Sequence, residues 1–450
     1  MVPASRAPRR RPEGTTATHI TLDPVYIFCL CACISAGVGR LARSDRQGGA
    51  SRAMTDPIMD VILASHVPHL PVLVRNLRSW SRHVSDLELV RFDVVVGQSD
   101  RPLFAASLLH GDNACGLAML QIKLFTIEHL MLHHAARVSE AAFNASRHTL
   151  LSTKKLLGCM SAISPLCFFV DSESMVIRRT SAAALLDAYL SQRAVLYNDR
   201  FIATSYWQCV APTDDVVLSW DRAVDAHAHA HQTHARGETP PGRTPWYLES
   251  YHWIFNRTLV SDFASRLLFP RLSTLHSDPR LRVAGCPRES RESDEQCGGC
   301  PRLFFESTLY KYIASNASLR HAHTFVETSQ IFRRLGFRSP SVANPNQLTG
   351  CSTGECLGML LMKANRSAVS AVASLYRQYG LPGYTPRGSR FDVGRWHQFA
   401  QESGVAMLLS SDGFPQGAQL FELYDPDGAA ALKTGGCLKA FGGTGLTRWA

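Results

Sequence analysis

Short apolar runs alternate along this chain with longer stretches whose hydrophobic residues recur every three or four positions. Met59–Ala64 (MDVILA) is a compact apolar run with branched residues and predicts a buried strand. Ser65-His66-Val67-Pro68 reads as a loop, after which Leu70, Leu73, Leu77 and Trp80 fall at helical spacing. Residues 92–96 (FDVVV) predict a second strand ending at Gly97. Residues 117–137 and 150–163 predict helices, and 166–170 (LCFFV) a third strand that stops at Asp171. Thr180 caps a predicted helix over 181–190, and Ala194–Tyr197 predicts another strand. Such alternation predicts an α/β fold with a mainly parallel sheet flanked by helices. In such sheets ligands bind beyond the carboxyl ends of the strands. That rule singles out Ser65 and His66, Gly97 to Asp100, and Asp171 to Glu173.

After Trp220 the texture changes. His227, His229, His231 and His234 lead into the Pro/Gly-rich stretch Gly237–Pro245, which reads as a loop insertion rather than a metal site. Residues 246–268 and 303–315 predict two aromatic helices. Between them, 276–302 is polar and holds Cys286, Cys297 and Cys300, for which a disulfide is a plainer reading than zinc or redox chemistry. Beyond Gly336 a linker leads to helical signals at 366–378 and 394–402. The expected organisation is a basic tail over 1–53, an α/β domain over 54–335 with insertions near 227–245 and 276–302, and a helical or mixed C-terminal appendage over 336–450.

Composition narrows the picture. The 450 residues are 45% hydrophobic and 19% charged, an ordinary globular balance that excludes wholesale disorder and fibrous repeats. The net charge is +10, and half of it comes from eight arginines against three acids in the first 53 residues. The remainder shows no basic stripe of the kind a nucleic-acid binder carries, so no nucleic-acid partner is expected. The apolar run VYIFCLCACISAGVG at 25–39, with arginines on both sides, predicts a secretory signal or a single N-terminal membrane anchor. Translation from Met54 or Met59 would instead leave a cytoplasmic protein. Two features favour the secretory pathway, in the Golgi or endoplasmic reticulum lumen. Four sequons begin at Asn144, Asn256, Asn316 and Asn365, and ten cysteines lie outside the apolar run, an even number that permits disulfides.

The chemistry-bearing motif is Phe168-Phe169-Val170-Asp171-Ser172-Glu173, two carboxylates two residues apart just past a buried strand. Hard divalent cations want oxygen ligands, and magnesium often takes one or two carboxylates together with substrate phosphates. In this motif, in MDVILASHVPHLPVLVRNLRSW, in KKLLGCMSAISPLCFFVDSESMVIRRTS and in the aromatic, acid-bearing segments TPWYLESYHWIF and PRLFFESTLYKYI, the sequence resembles nucleotide-sugar glycosyltransferases of the GT-A fold over about residues 58–330. The resemblance implies a Rossmann-like sheet, a nucleotide-sugar donor and a glycan, protein or lipid hydroxyl acceptor. It also implies a manganese or magnesium ion held against the donor's diphosphate by Asp171 and Glu173. Glu stands here where the family's Asp-x-Asp motif has a second Asp.

The same resemblance places the nucleotide base and ribose near Ser65 and His66, with Ser172 also on the donor side. Lys154 and Lys155 sit on the helix leading into the acidic strand, and one of them, with Lys154 the candidate, is a point charge for a phosphate. Trp246 and His252 border the donor, and Trp246 and Trp253 offer flat surface to a sugar. Glu249, three residues before His252 on one helix face, is the expected general base for the acceptor hydroxyl, with Glu306 as a second choice. Two alternatives remain open: a non-catalytic carbohydrate-binding or scaffold protein on the same fold, and a cytosolic nucleotidyltransferase. The absence of glycine from SHVPHLP counts against the latter.

Overall fold

The computed structural model describes residues 56–109, 116–134, 147–197, 210–221, 253–275, 278, 303–327, 366–378, 393–408 and 417–433. The N-terminal run 25–39, the histidine run, Glu249 with its neighbours Trp246 and His252, and Cys286, Cys297 and Cys300 lie outside these residues. Among the described residues no helix is long and apolar enough to cross a membrane.

A five-stranded sheet forms the centre, in the order β3-β2-β1-β4-β7. Its strands are β1 (Met59–Ala64), β2 (Val90–Val96), β3 (Gln121–Thr126), β4 (Leu166–Phe169) and β7 (Ile254–Asn256). The first four run parallel, and β7 pairs antiparallel with β4. Helix α1 (Leu70–His83) links β1 to β2, α2 (Arg101–Leu108) lies between β2 and β3, and α3 (Ile127–His133) follows β3. Helix α4 (Arg147–Met160) then brings the chain back to the other side of β1, where it enters β4. The order therefore reverses between β1 and β4, the point at whose carboxyl ends open α/β sheets bind ligands. The expected α/β class, with a mainly parallel sheet flanked by helices, is what the chain adopts.

Two expected elements differ. Residues 121–126, where the periodicity predicts helix, form edge strand β3; QIKLFT alternates only partly, and its side chains are mostly half-buried. The helix begins only at Ile127, where the Thr126 hydroxyl accepts from the His129 N–H. Likewise Ile254–Asn256 is strand β7, not helix. The Asn256 side chain caps α7 (Arg257–Asp262) by accepting from the Thr258 and Leu259 amides. Of the described sequons, Asn256 is exposed, whereas Asn316 is buried and its side-chain oxygen accepts from Ser318.

Successive residues of β4 point to opposite faces, as the pleat requires. Phe168 packs toward Trp80 of α1, with ring centroids 6.3 Å apart, and Phe92 meets the same indole at 5.3 Å. Phe169 points the other way, to Phe305 at 4.7 Å. Helix α4 lies on that second face. A Cβ at Gly158 would stand 2.8 Å from Ile62 Cγ2 and 3.0 Å from Val95 Cγ2, so glycine lets the helix approach the sheet closely. Cys159 and Cys167 form a disulfide that joins the end of α4 to β4.

Near the amino ends of the strands a buried ionic knot closes the sheet. Arg91 Nη2 lies 2.5 Å from Asp93 and 3.2 Å from Asp60. Asp60 also accepts from the Ile163 and Ser164 amides and the Ser164 hydroxyl. Burial pushes the Asp93 carboxyl up to about 7, against the opposing pull of Arg91.

Smaller pairings bring the later chain onto this body. β5 (Met175–Val176) pairs antiparallel with β9 (Met407–Leu408). After α5 (Ala182–Gln192), β6 (Ala194–Tyr197) pairs parallel with β8 (Thr324–Glu327). Helix α6 (Val210–Leu218) packs against α8 (Phe305–Ser315), and α9 (Arg366–Gln378) against α10 (Val393–Ser403). The last two helices are α11 (Gly417–Tyr424) and α12 (Pro426–Lys433). Asp425, buried between them, accepts from Arg78 and Arg82 of α1.

Gly158→Ala should lower stability by about 1 kcal/mol in urea unfolding, because overpacking against Ile62 and Val95 outweighs the gain in helix propensity. A carboxyl raised from its ordinary 3.8 contributes stability that is complete below that value and lost as pH rises through about 7. Between pH 5 and pH 8, unfolding of the native chain should therefore lose stability more steeply than that of Asp93→Asn. Parallel profiles would show that Asp93 does not titrate in this window.

Candidate functional site

The sequence places β1 and β4 side by side, so the segments following them meet. The Ser172 hydroxyl donates to the Ala64 carbonyl at 3.2 Å and lies 3.1 Å from Ser65 Oγ. The acidic residues occupy a turn in which the Ser174 amide donates to the Asp171 carbonyl. Helix α1 fastens that turn from below: Asn76 Nδ2 donates to the same carbonyl at 2.9 Å, and Ser79 Oγ accepts from the Val176 amide at 2.9 Å. β9 fastens the far side by pairing with Met175 and Val176.

The two lysines of α4 reach the same edge in different ways. Lys154 Nζ donates to the Ser65 carbonyl at 2.8 Å and is buried. Burial lowers its pKa, with Asp100 and Glu128 acting in the opposite direction. Lys154 therefore holds the loop after β1. Lys155 Nζ is 2.7 Å from Asp171 Oδ1 and 2.7 Å from Glu306 Oε1, with its own side chain only 3% exposed. It also sits 5.0 Å from the centre of the Trp253 ring. Burial alone would favour neutral Lys155, but Asp171 and Glu306 outweigh it and hold the pKa above the ordinary lysine value.

Glu306 stands in the first turn of α8, and its side chain is enclosed. Burial pushes its carboxyl up and Lys155 pulls it down. The following residues lock the helix in place. Asp214 of α6, fully buried, accepts from Ser307 Oγ at 2.9 Å and Thr308 Oγ1 at 2.6 Å, and pairs with Lys311 Nζ at 2.9 Å. Glu306 is thus turned onto Lys155 rather than open to an acceptor.

Asp171 and Glu173 keep some access, with side chains 21% and 17% exposed. Glu173 Oε2 lies 3.8 Å from His69 Nδ1, and the His66 and His69 rings meet at a tilt with centroids 4.2 Å apart. Along the neighbouring strand, the Gln98 amide donates to Glu128 Oε2 at 2.9 Å. Among the described residues no cluster of three or more His, Cys, Asp and Glu could hold a metal ion. Two partly exposed carboxylates on one turn could supply a hard cation with only part of its oxygen shell, the rest having to come from substrate phosphates.

The structure thus brings Ser65, Ser172, Asp171, Glu173, Lys154 and Glu306 to one edge, and His66 to the loop beside them. Sequence reasoning missed His69, the anchors Asn76 and Ser79, and the clamp at Asp214. Asn76 and Ser79 left a faint trace as polar residues on the apolar face of α1; the Asp214 clamp left none.

No family model matches the chain, and no curated protein matches it. Solved structures overlap it weakly. Mouse xyloside xylosyltransferase 1 in its apo form is 11% identical, with 61% of this chain and 85% of that chain covered at a TM-score of 0.31. The mannosyltransferase PcManGT from Pyrobaculum calidifontis, in complex with GDP-Man and Mn2+, is 10% identical over 94% and 87% at 0.25. S. aureus TarS 1-349 in complex with UDP-GlcNAc is 10% identical over 84% and 90% at 0.26. Overlaps at TM-scores this far below 0.5 decide nothing about this chain.

Lys155→Met should cost about 3 kcal/mol, because it leaves Glu306 buried without a counter-charge. Adding Glu306→Leu should recover most of that loss, as measured by urea unfolding of both variants. Equal stability of the single and double variants would count against a buried pair.

Proposed function

We propose that this chain is a glycosyltransferase moving a sugar from a nucleotide-sugar to a hydroxyl acceptor. The observation that carries the proposal is the meeting of the β1 loop and the acidic turn at the point where strand order reverses, through Ser172 and Ser65. A ligand lying across the carboxyl ends of β1 and β4 would find the His66 and His69 imidazoles on one side and the Asp171 and Glu173 carboxylates on the other.

In this proposal His66 lines the nucleoside side, and Ser65, buried and bonded to Ser172, sets the loop that presents it. Asp171 and Glu173 would hold manganese or magnesium, which when bound neutralises charge developing on the departing diphosphate. The chain's own contribution is to keep those carboxylates in place. Asn76 and Ser79 hold the turn's backbone, Lys155 holds one Asp171 oxygen, and Lys154 holds the loop opposite. Glu249 is the proposed base that takes the acceptor hydroxyl's proton. The Cys159–Cys167 disulfide supports an oxidising compartment, hence the secretory pathway.

Purified protein incubated with a panel of nucleotide-sugars and Mn2+ should release nucleoside diphosphate, and Asp171→Ala should reduce the rate by about 100-fold or more. Donor binding without turnover would favour a non-catalytic relative. If no nucleotide-sugar binds or is consumed, with or without the cation, the proposal fails.

A further inference from the structure

Lys155 poses an electrostatic problem for a cation site. Its ammonium lies 2.7 Å from the Asp171 carboxylate, so the pair by itself is neutral, and a second cation approaching Asp171 would meet a positive neighbour. Glu306 removes the difficulty. It contacts the same ammonium at 2.7 Å, and its side chain, like that of Lys155, is 3% exposed. Two carboxylates sharing one ammonium leave a charge of −1 on the group. Asp171, 21% exposed, is the member that presents this charge to solvent.

We infer that Glu306 is a charge-balancing, positioning residue: by sharing Lys155 it leaves Asp171 anionic enough to hold a divalent cation while Lys155 fixes the carboxylate's position. The inference rests on the cation role proposed for Asp171 and Glu173. It gives Glu306 a part other than general base, since an enclosed carboxylate already committed to an ammonium does not touch the acceptor. The bonds from Ser307, Thr308 and Lys311 to Asp214 keep α8 in the register this requires.

The test is titration of the full chain with Mn2+ alone, following the free-ion signal by electron paramagnetic resonance, with thermal unfolding to verify each variant's fold. The native chain should bind and Asp171→Asn should not. Glu306→Gln keeps the shape and removes the charge, so it should raise the Mn2+ dissociation constant about tenfold without loss of fold. Lys155→Met combined with Glu306→Leu removes one charge of each sign and should return affinity to within about threefold of native. Native affinity in Glu306→Gln, or a double variant as weak as that single one, overturns the inference while leaving the cation site standing. Absence of Mn2+ binding by the native chain, both alone and with a saturating nucleoside diphosphate present, overturns both. Should Glu306→Gln fail to fold, the double variant decides: near-native affinity supports charge balance, and a loss of about tenfold or more refutes it.

Discussion

A lysine enclosed between two carboxylates is the constraint around which this site is arranged. An ammonium removed from water needs compensating charge close by, and Lys155 finds it from two directions: the acidic turn after β4 and the first turn of α8. Those segments are far apart in the chain. Each must be held still from its own side, and each is: Asn76 and Ser79 hold the turn, and Asp214 holds the helix. Gly158 completes the arrangement by letting α4 lie close enough to the sheet for its lysines to overhang the strand ends.

Backbone geometry and electrostatics thus act at the same place. Strand order reverses between β1 and β4, and the two strand-end loops meet there through Ser172 and Ser65. The consecutive lysines take separate duties, Lys154 on a backbone carbonyl and Lys155 on carboxylates. Toward the amino ends of the strands, the Asp60–Arg91–Asp93 knot ties β1 and β2 to the approach to β4. The strands are therefore secured at both ends of the sheet.

Much of this was legible in the sequence where local signals were strong. MDVILA and AVLY stand as strands within their expected bounds, and 366–378 is a helix over its expected length. The acidic motif was legible because a buried run stops abruptly at Asp171. QIKLFT was not: an edge strand shows weak alternation, and the helix that follows it lent its apolar spacing to the preceding residues. WIFN misled through its aromatics, which suit a strand buried against α8 as well as a helix. The Lys155–Glu306 contact spans 151 residues, a distance at which no periodicity carries information.

The pairing of β9 with β5 places a segment beyond residue 400 directly against the residues that follow Glu173. A fragment ending before Ala406 would leave Met175 and Val176 with an open edge, and the Ile177 amide without the carbonyl that now accepts from it. Exposed edges of that kind recruit other chains. Proteolytic trimming from the carboxyl side would therefore turn the rim of the site into an adhesive surface well before it reached any residue proposed to meet a ligand.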